Sequence, residues 1–177
     1  GDLGSDSRRI ADELERDGIA LYGVILDNPM LSGPRLREVA DTLGATIVSQ
    51  GDDLSKIVTS TRILAMIPEN ALRFMREGDG YLLVTPGDRS EHILTAISAQ
   101  KSSHFPTCSG IVLTGGLGRG PETTHLIDGI GDVDLSILSV DDDTYTTALK
   151  VNGIAGELRA DDAEKINSAF EAVKRYV

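Results

Sequence analysis

The stretch YLLVTPGDRSEHILTAISAQKSSHFPTCSGIVLTGGLGRG, residues 81–120, decides the fold. It opens with an apolar run of strand length, Tyr81–Thr85. It then passes through the polar turn Pro86-Gly87-Asp88-Arg89 and continues as a helix with Ile93, Leu94 and Ile97 on one face. The same grammar starts again at Gly110–Leu113, with a loop from Thr114 to Gly120 and a helix opened by Pro121. A third round follows, where Leu135–Val140 leads through Asp141-Asp142-Asp143 into a helix bearing Tyr145, Ala148 and Leu149. Unbroken apolar strands alternating with helices are βαβ units, whose strands lie parallel and are covered on both faces. The expected fold class is therefore α/β, layered, with a mostly parallel sheet.

Upstream of this core the pattern predicts a helix over 7–17, stopped by Gly18, and a buried parallel strand over Ile19–Leu26, closed by Asp27-Asn28-Pro29. Ser32-Gly33-Pro34 opens a helix with Leu36, Val39, Ala40 and Leu43 on one face, and Ala45–Val48 is the next strand. Short strands are expected at Ile57-Val58 and Ile63–Ile67, and Pro68-Glu69 opens a helix carrying Ala71, Leu72 and Met75. A final helix runs from about Asp161 to Tyr176, with Ile166, Ala169, Phe170 and Val173 on one side.

Composition narrows the function. With 177 residues, 40% hydrophobic and 25% charged, the chain can build a core without staples. The net charge of −11 is spread along the sequence, which disfavours a broad phosphate-backbone interface, so no nucleic-acid partner is expected. One cysteine, Cys108, forms no internal disulfide, and no apolar run reaches the roughly 18 residues of a membrane helix. No secretion signal is visible, so a cytoplasmic protein without a membrane partner is expected. The opening Gly1-Asp2-Leu3-Gly4-Ser5-Asp6 reads as the scar of an excised piece whose partner domain is missing.

Loops that leave the carboxyl ends of parallel strands gather on one edge, where α/β proteins place ligands. Asp88 and Glu91 are spaced as a capping box, the ordinary structural use of such a pair. Arg89 at the mouth of a helix adds positive charge to N–H groups that attract anions; a structural salt bridge to one of Asp141–Asp143 competes with that reading. The loop Thr114-Gly115-Gly116-Leu117-Gly118-Arg119-Gly120 lacks the Gly-Lys-Ser/Thr ending of a Walker loop and the spacing of a dinucleotide loop. A tight packing turn and a phosphate cradle remain equally open for it. Asp141–Asp143 could hold magnesium, but a solvated turn in which Asp143 or Asp142 caps the following helix, beginning near Thr144, is the commoner use. His92, His104 and His125 are scattered, and Cys108 before an apolar strand reads as a small core residue. No nucleophile has a base beside it, so no catalytic residue, metal or cofactor is assigned.

Asp88-Arg89 followed by Thr114-Gly115-Gly116 resembles the split signature of the DRTGG domain family. Leu36–Ala40, Met66–Leu72, Val84–Arg89, Val112–Gly116 and Asp143-Thr144-Tyr145 resemble that family in order, over roughly Pro34 to Lys165. The resemblance implies a fold similar to the N-terminal domain of HPr kinase and to the MurF-like N-domains, together with dimer contacts and effector response instead of catalysis. It also implies company, because such domains follow P-loop domains in phosphotransacetylases. Residues 7–32 resemble the last helix and strand of such a P-loop domain. The expected division is thus a remnant over 1–33 and a DRTGG domain over 34–177. The expected function is a noncatalytic regulatory and oligomerisation module, a homodimer that binds a small anionic metabolite or nucleotide. Its ligand residues would be Asp88, Arg89, Thr114, Gly115, Gly116, Arg119, Asp143 and Thr144. The alternative is a fragment of a phosphotransacetylase or an ATP-dependent amide-forming synthase, with a P-loop or acyltransferase domain of the parent chain as partner. Ser90-Glu91-His92 departs from the family pattern, in which an acidic residue is often followed by an apolar one.

Overall fold

The computed structural model describes residues 3–51, 54–117, 120–130, 134–160 and 162–176. In chain order the elements are α1 (Leu3–Arg16), α2 (Pro29–Ser32), α3 (Leu36–Leu43), β1 (Thr46–Ser49), β2 (Ser60–Ile63), α4 (Pro68–Phe74) and β3 (Tyr81–Pro86). They continue with α5 (Ser90–Gln100), β4 (Cys108–Thr114), α6 (Pro121–Ile130), β5 (Ile137–Ser139), α7 (Thr144–Asn152) and α8 (Ala163–Tyr176). The chain divides into two compact units. One comprises Gly1–Leu31 with Leu158–Val177, and the other Ser32–Glu157.

The larger unit is built on a five-stranded sheet in the order β1-β5-β4-β3-β2. β2, β3, β4 and β5 run parallel and β1 joins β5 antiparallel, which is the mostly parallel sheet the alternating grammar requires. All of β4, and β3 up to Thr85, are buried because each face of the sheet carries its own cluster. Leu83, Ile93, Ile97, Ile111, Leu113 and Ile137 pack on one side. Leu36, Val39, Leu82, Val84, Val112 and Leu138 pack on the other. The period of two along each strand sends Leu82 and Leu83 to opposite faces, so an apolar residue is needed at every position.

Three expectations change. Ile57-Val58 makes only an isolated bridge, Arg35 with Ile57, and the strand placed at Ile63–Ile67 lies earlier, at Ser60–Ile63. β2 is the sheet edge, where water covers part of the strand and polar Ser60, Thr61 and Arg62 are tolerated, so the apolar signal misses it. The run Ile19–Leu26 forms no strand, and Tyr22 is 83% exposed. A strand needs a neighbouring strand for its N–H and C=O groups, and the described residues of the smaller unit include none.

In that smaller unit Gly18 takes a left-handed φ of 73°, and Ile19 N donates to Leu14 O, ending α1. Asn28 donates to Ser168 Oγ at 3.1 Å, tying the end of the apolar run to α8. No described helix is long and apolar enough to cross a membrane.

Candidate functional site

Because β3, β4 and β5 are parallel, the loops after Pro86, Thr114 and Ser139 leave the same edge of the sheet. Four hydrogen bonds join them. Gly87 N donates to Thr114 O at 3.1 Å, Gly115 N to Asp142 O at 2.8 Å and Gly116 N to Val140 O at 2.9 Å. The hydroxyls of Thr114 and Thr144 meet at 2.7 Å. The Asp-Arg and Thr-Gly-Gly turns therefore share one rim.

Gly115 and Gly116 hold φ of 85° and 63°, values that side chains strain against, and this lets the loop fold back on the turn after β5. With both amides taken by backbone carbonyls, these two glycines serve a tight turn. Gly87 is buried against the same loop: a Cβ built there would lie 1.8 Å from Leu117 O. Gly118 and Arg119 lie outside the described residues.

The first turn of α5 differs from the capping-box expectation. The N-cap is Arg89, one residue later than the box requires, and no side chain caps it. Glu91 pairs with Arg89 at 3.3 Å instead of reaching back to Asp88. That pair stands where the competing reading had a salt bridge from Arg89 to one of Asp141–Asp143; Arg89 meets the nearer Glu91, and Asp141 lies against Gly116. A hydrogen bond from its own backbone, aided by the Arg89 guanidinium, holds the Glu91 carboxyl below the usual range. Asp88 and Arg89 are exposed at the rim.

Asp143 caps α7, its Oδ1 accepting from Tyr145 N at 2.9 Å and Thr146 N at 3.0 Å while Oδ2 accepts from the Thr146 hydroxyl at 2.6 Å. The neighbouring Asp142 pairs with Lys150 at 2.5 Å. Hydrogen bonds to Asp143 hold its pKa below the usual aspartate value, chiefly those from Thr146. The group is therefore more acidic when folded, and its contribution to stability is present above the ordinary aspartate range and lost as pH falls through the folded value. Asp143→Asn, which keeps one accepting oxygen, is expected to retain most of the melting temperature at neutral pH and to flatten its decline in acid, read from melting curves across pH. An unchanged acid decline would remove Asp143 from that dependence.

His92 carries a role that spacing did not reveal. It is 3% exposed, with Nε2 2.8 Å from Met66 O and Nδ1 2.7 Å from Thr85 Oγ1. A carbonyl only accepts, so Nε2 bears the proton and, in the uncharged ring, Nδ1 accepts from the Thr85 hydroxyl. The ring thereby ties the segment after β2 to the end of β3 and the first turn of α5, at the root of the Asp-Arg turn. Its helical spacing with Ala96 was the available signal, since both lie on the buried face. Thr85→Val leaves Nδ1 without a donor and is expected to cost about 1–3 kcal/mol in urea unfolding. An unchanged midpoint would show that the ring does not need the hydroxyl.

Cys108 is buried, and burial pushes its thiol up to about 12, which suits a core residue and not a nucleophile. Among the described residues no group of three or more His, Cys, Asp and Glu side chains is placed to hold a metal ion.

A layered α/β domain with paired polar turns at the carboxyl edge of its sheet is the class these features define. The chain belongs to the DRTGG domain family, whose profile matches residues 38–154. It is 35% identical to a phosphate acetyltransferase of Nitratidesulfovibrio vulgaris over 159 residues, which is 90% of this chain and 22% of the relative. It is 30% identical to the phosphate acetyltransferase of Pseudomonas aeruginosa over 173 residues, 97% of this chain and 24% of that protein. The chain thus spans less than a quarter of the length of these curated relatives. Among solved structures it is similar to the CBS and DRTGG domains of the regulatory region of Clostridium perfringens pyrophosphatase, complexed with the activator diadenosine tetraphosphate. The TM-score is 0.54 at 16% identity, covering 96% of this chain and 83% of that one, a likeness of fold alone.

Proposed function

We propose that this chain is a noncatalytic regulatory and association module whose carboxyl-edge rim receives a small anionic metabolite or nucleotide. The observation that carries the reading is the Gly87 N to Thr114 O bond, which brings the family's two signature turns to one rim with Asp88 and Arg89 exposed beside it. Arg89 sits at the amino end of the eleven-residue α5, where helix N–H groups and a guanidinium favour negative charge. The remaining contacts come from Arg119, Thr144 and the outer faces of Gly115, Gly116 and Asp143. Membership of the DRTGG family supports the regulatory part, and the nucleotide on the pyrophosphatase regulatory region supports the ligand class.

The module works as a homodimer joined to a larger protein in the cytoplasm. Among the described residues, the buried hydrophobic side chains lie between Leu36 and Val151, while Ile19, Tyr22, Ile25 and Phe170 of the smaller unit are exposed. That exposed apolar surface supports a covering neighbour, a P-loop or acyltransferase domain; we read residues 1–33 as the remnant of such a domain, and residues 158–177 belong to the same compact unit as residues 1–31 and not to the sheet unit. The relatives favour phosphate acetyltransferase as the enzyme this module serves.

Thermal shift with AMP, ATP and diadenosine tetraphosphate tests the ligand. A nucleotide at one hundred times its Kd stabilises by about 2.7 kcal/mol, and Arg89→Ala is expected to erase that gain. No stabilisation by any of the three, or a gain unaffected by Arg89→Ala, would overturn the rim as the ligand site. A monomer by light scattering at micromolar concentration would overturn the association half.

A further inference from the structure

The larger unit also holds a cleft of about 230 Å³ at the other end of the sheet, where β2 begins and α7 ends. Its walls are the Ser32-Gly33-Pro34 turn, the segment Val58–Thr61, and Val151, Asn152 and Ile154. Little apolar surface is open in it, because Val58 and Val151 are only 4% and 3% exposed and lie beneath the polar wall. The side chains of Ser60, Thr61 and Asn152 stand around it with no hydrogen-bond partner among the described residues. An open lining of hydroxyl and amide groups matches a small ligand that carries several hydroxyls.

Charge narrows the class. Among the described residues, no Lys, Arg, Asp or Glu lines the cleft. The carboxyl end of α7 points its partial negative charge at this edge, so an anion is disfavoured. The volume is below the roughly 300–1,000 Å³ of drug-sized pockets, which fits a compound of sugar size.

Position supplies the regulatory sense. Gly156 N donates to Ser32 O at 2.8 Å, so the segments by which the chain enters and leaves this unit are joined by a backbone hydrogen bond. Val58 N donates to Pro34 O at 2.8 Å, joining the entering segment to the approach to β2. A molecule spanning Thr61 and Asn152 restrains both connections at once.

We propose that this cleft is a second effector site, for a small uncharged polyhydroxyl compound of pentose size. The proposal rests on the regulatory reading above but not on the rim. The test is an amide NMR titration of the whole chain with millimolar D-ribose and, separately, with inorganic phosphate. D-ribose is expected to move the amides of Thr59–Thr61 and Val151–Ile154, and Asn152→Ala and Thr61→Val are each expected to weaken it by up to about tenfold. Both residues are surface-accessible, and unchanged spectra elsewhere show that the variants fold. No response to ribose at these amides, binding indifferent to both variants, or preference for phosphate would each overturn the cleft as a polyol site. Loss of the ribose response with an intact Arg89-dependent nucleotide shift rejects the cleft alone; the converse rejects the rim alone.

Discussion

Gly87→Ala is expected to unfold the carboxyl edge of the sheet and to be among the most destabilising single substitutions in the chain. The new methyl would stand 1.8 Å from Leu117 O and 2.7 Å from Leu117 C, inside any van der Waals contact and against backbone. Gly87 has no positive φ, so alanine is not excluded by its own torsions. The penalty is wholly that of pushing the Thr114–Leu117 loop away, which breaks the Gly87 N to Thr114 O bond and strains the Gly115 and Gly116 contacts behind it. Backbone overpacking of this kind costs about 3 kcal/mol or more, a large share of the roughly 5–15 kcal/mol that holds a domain together. Gly120→Ala is the control, because a Cβ there meets nothing within 4 Å. Urea unfolding of the two variants beside the parent is the measurement. Equal midpoints for all three would mean that the two turns do not pack, and the shared rim would go with them.

Leu36→Ala is expected to cost about 2–5 kcal/mol, because a fully buried leucine leaves a cavity as well as its own transfer energy. Leu36 joins α3 to the sheet face formed by Leu82, Val84, Val112 and Leu138. It seats so closely that a Cβ on Gly110 would lie 2.9 Å and 3.1 Å from its two methyl carbons. Gly110→Ala is thus destabilising on its own, and in the Leu36→Ala background much of that penalty should vanish as the methyl enters the space vacated. A double-mutant cycle reads the coupling directly, and additive effects would show that helix and strand do not meet there.

Much of the sheet was legible in the sequence for a physical reason. β3, β4 and β5 lie in the middle of a covered sheet, so both faces select apolar residues and the run is unbroken. Helices α3, α4, α5, α7 and α8 announced themselves by apolar faces such as Leu36-Val39-Ala40 and Ile93-Leu94-Ile97, and α6 by Pro121 at its start. The cap from Asp143 to Tyr145 N and Thr146 N is local, contained within three residues, and so followed from spacing. The edge strand β2 was displaced because water, and not a packed layer, covers part of it. Ile19–Leu26 has the composition of a covered strand but no strand partner among the described residues. Apolarity states a need for burial, not who supplies it.

The rim divides in the same way. Sequence placed Asp88, Arg89, Thr114, Gly115 and Gly116 at strand exits, but it could not say that the Gly115 and Gly116 amides are taken by Asp142 O and Val140 O. Those carbonyls lie more than twenty residues away, and only folding brings them near. The same is true of His92, whose partners Thr85 and Met66 come from two other elements.

By itself, then, the sequence determined the alternation of strand and helix, the faces they bury and the family signature, because these depend on residues within a few positions of each other. Strand order, the edge that stays open, the carbonyls that occupy the glycine amides and the cleft beside β2 were decided by tertiary structure alone. Each depends on groups that are distant in the chain and are brought together only when the sheet has formed.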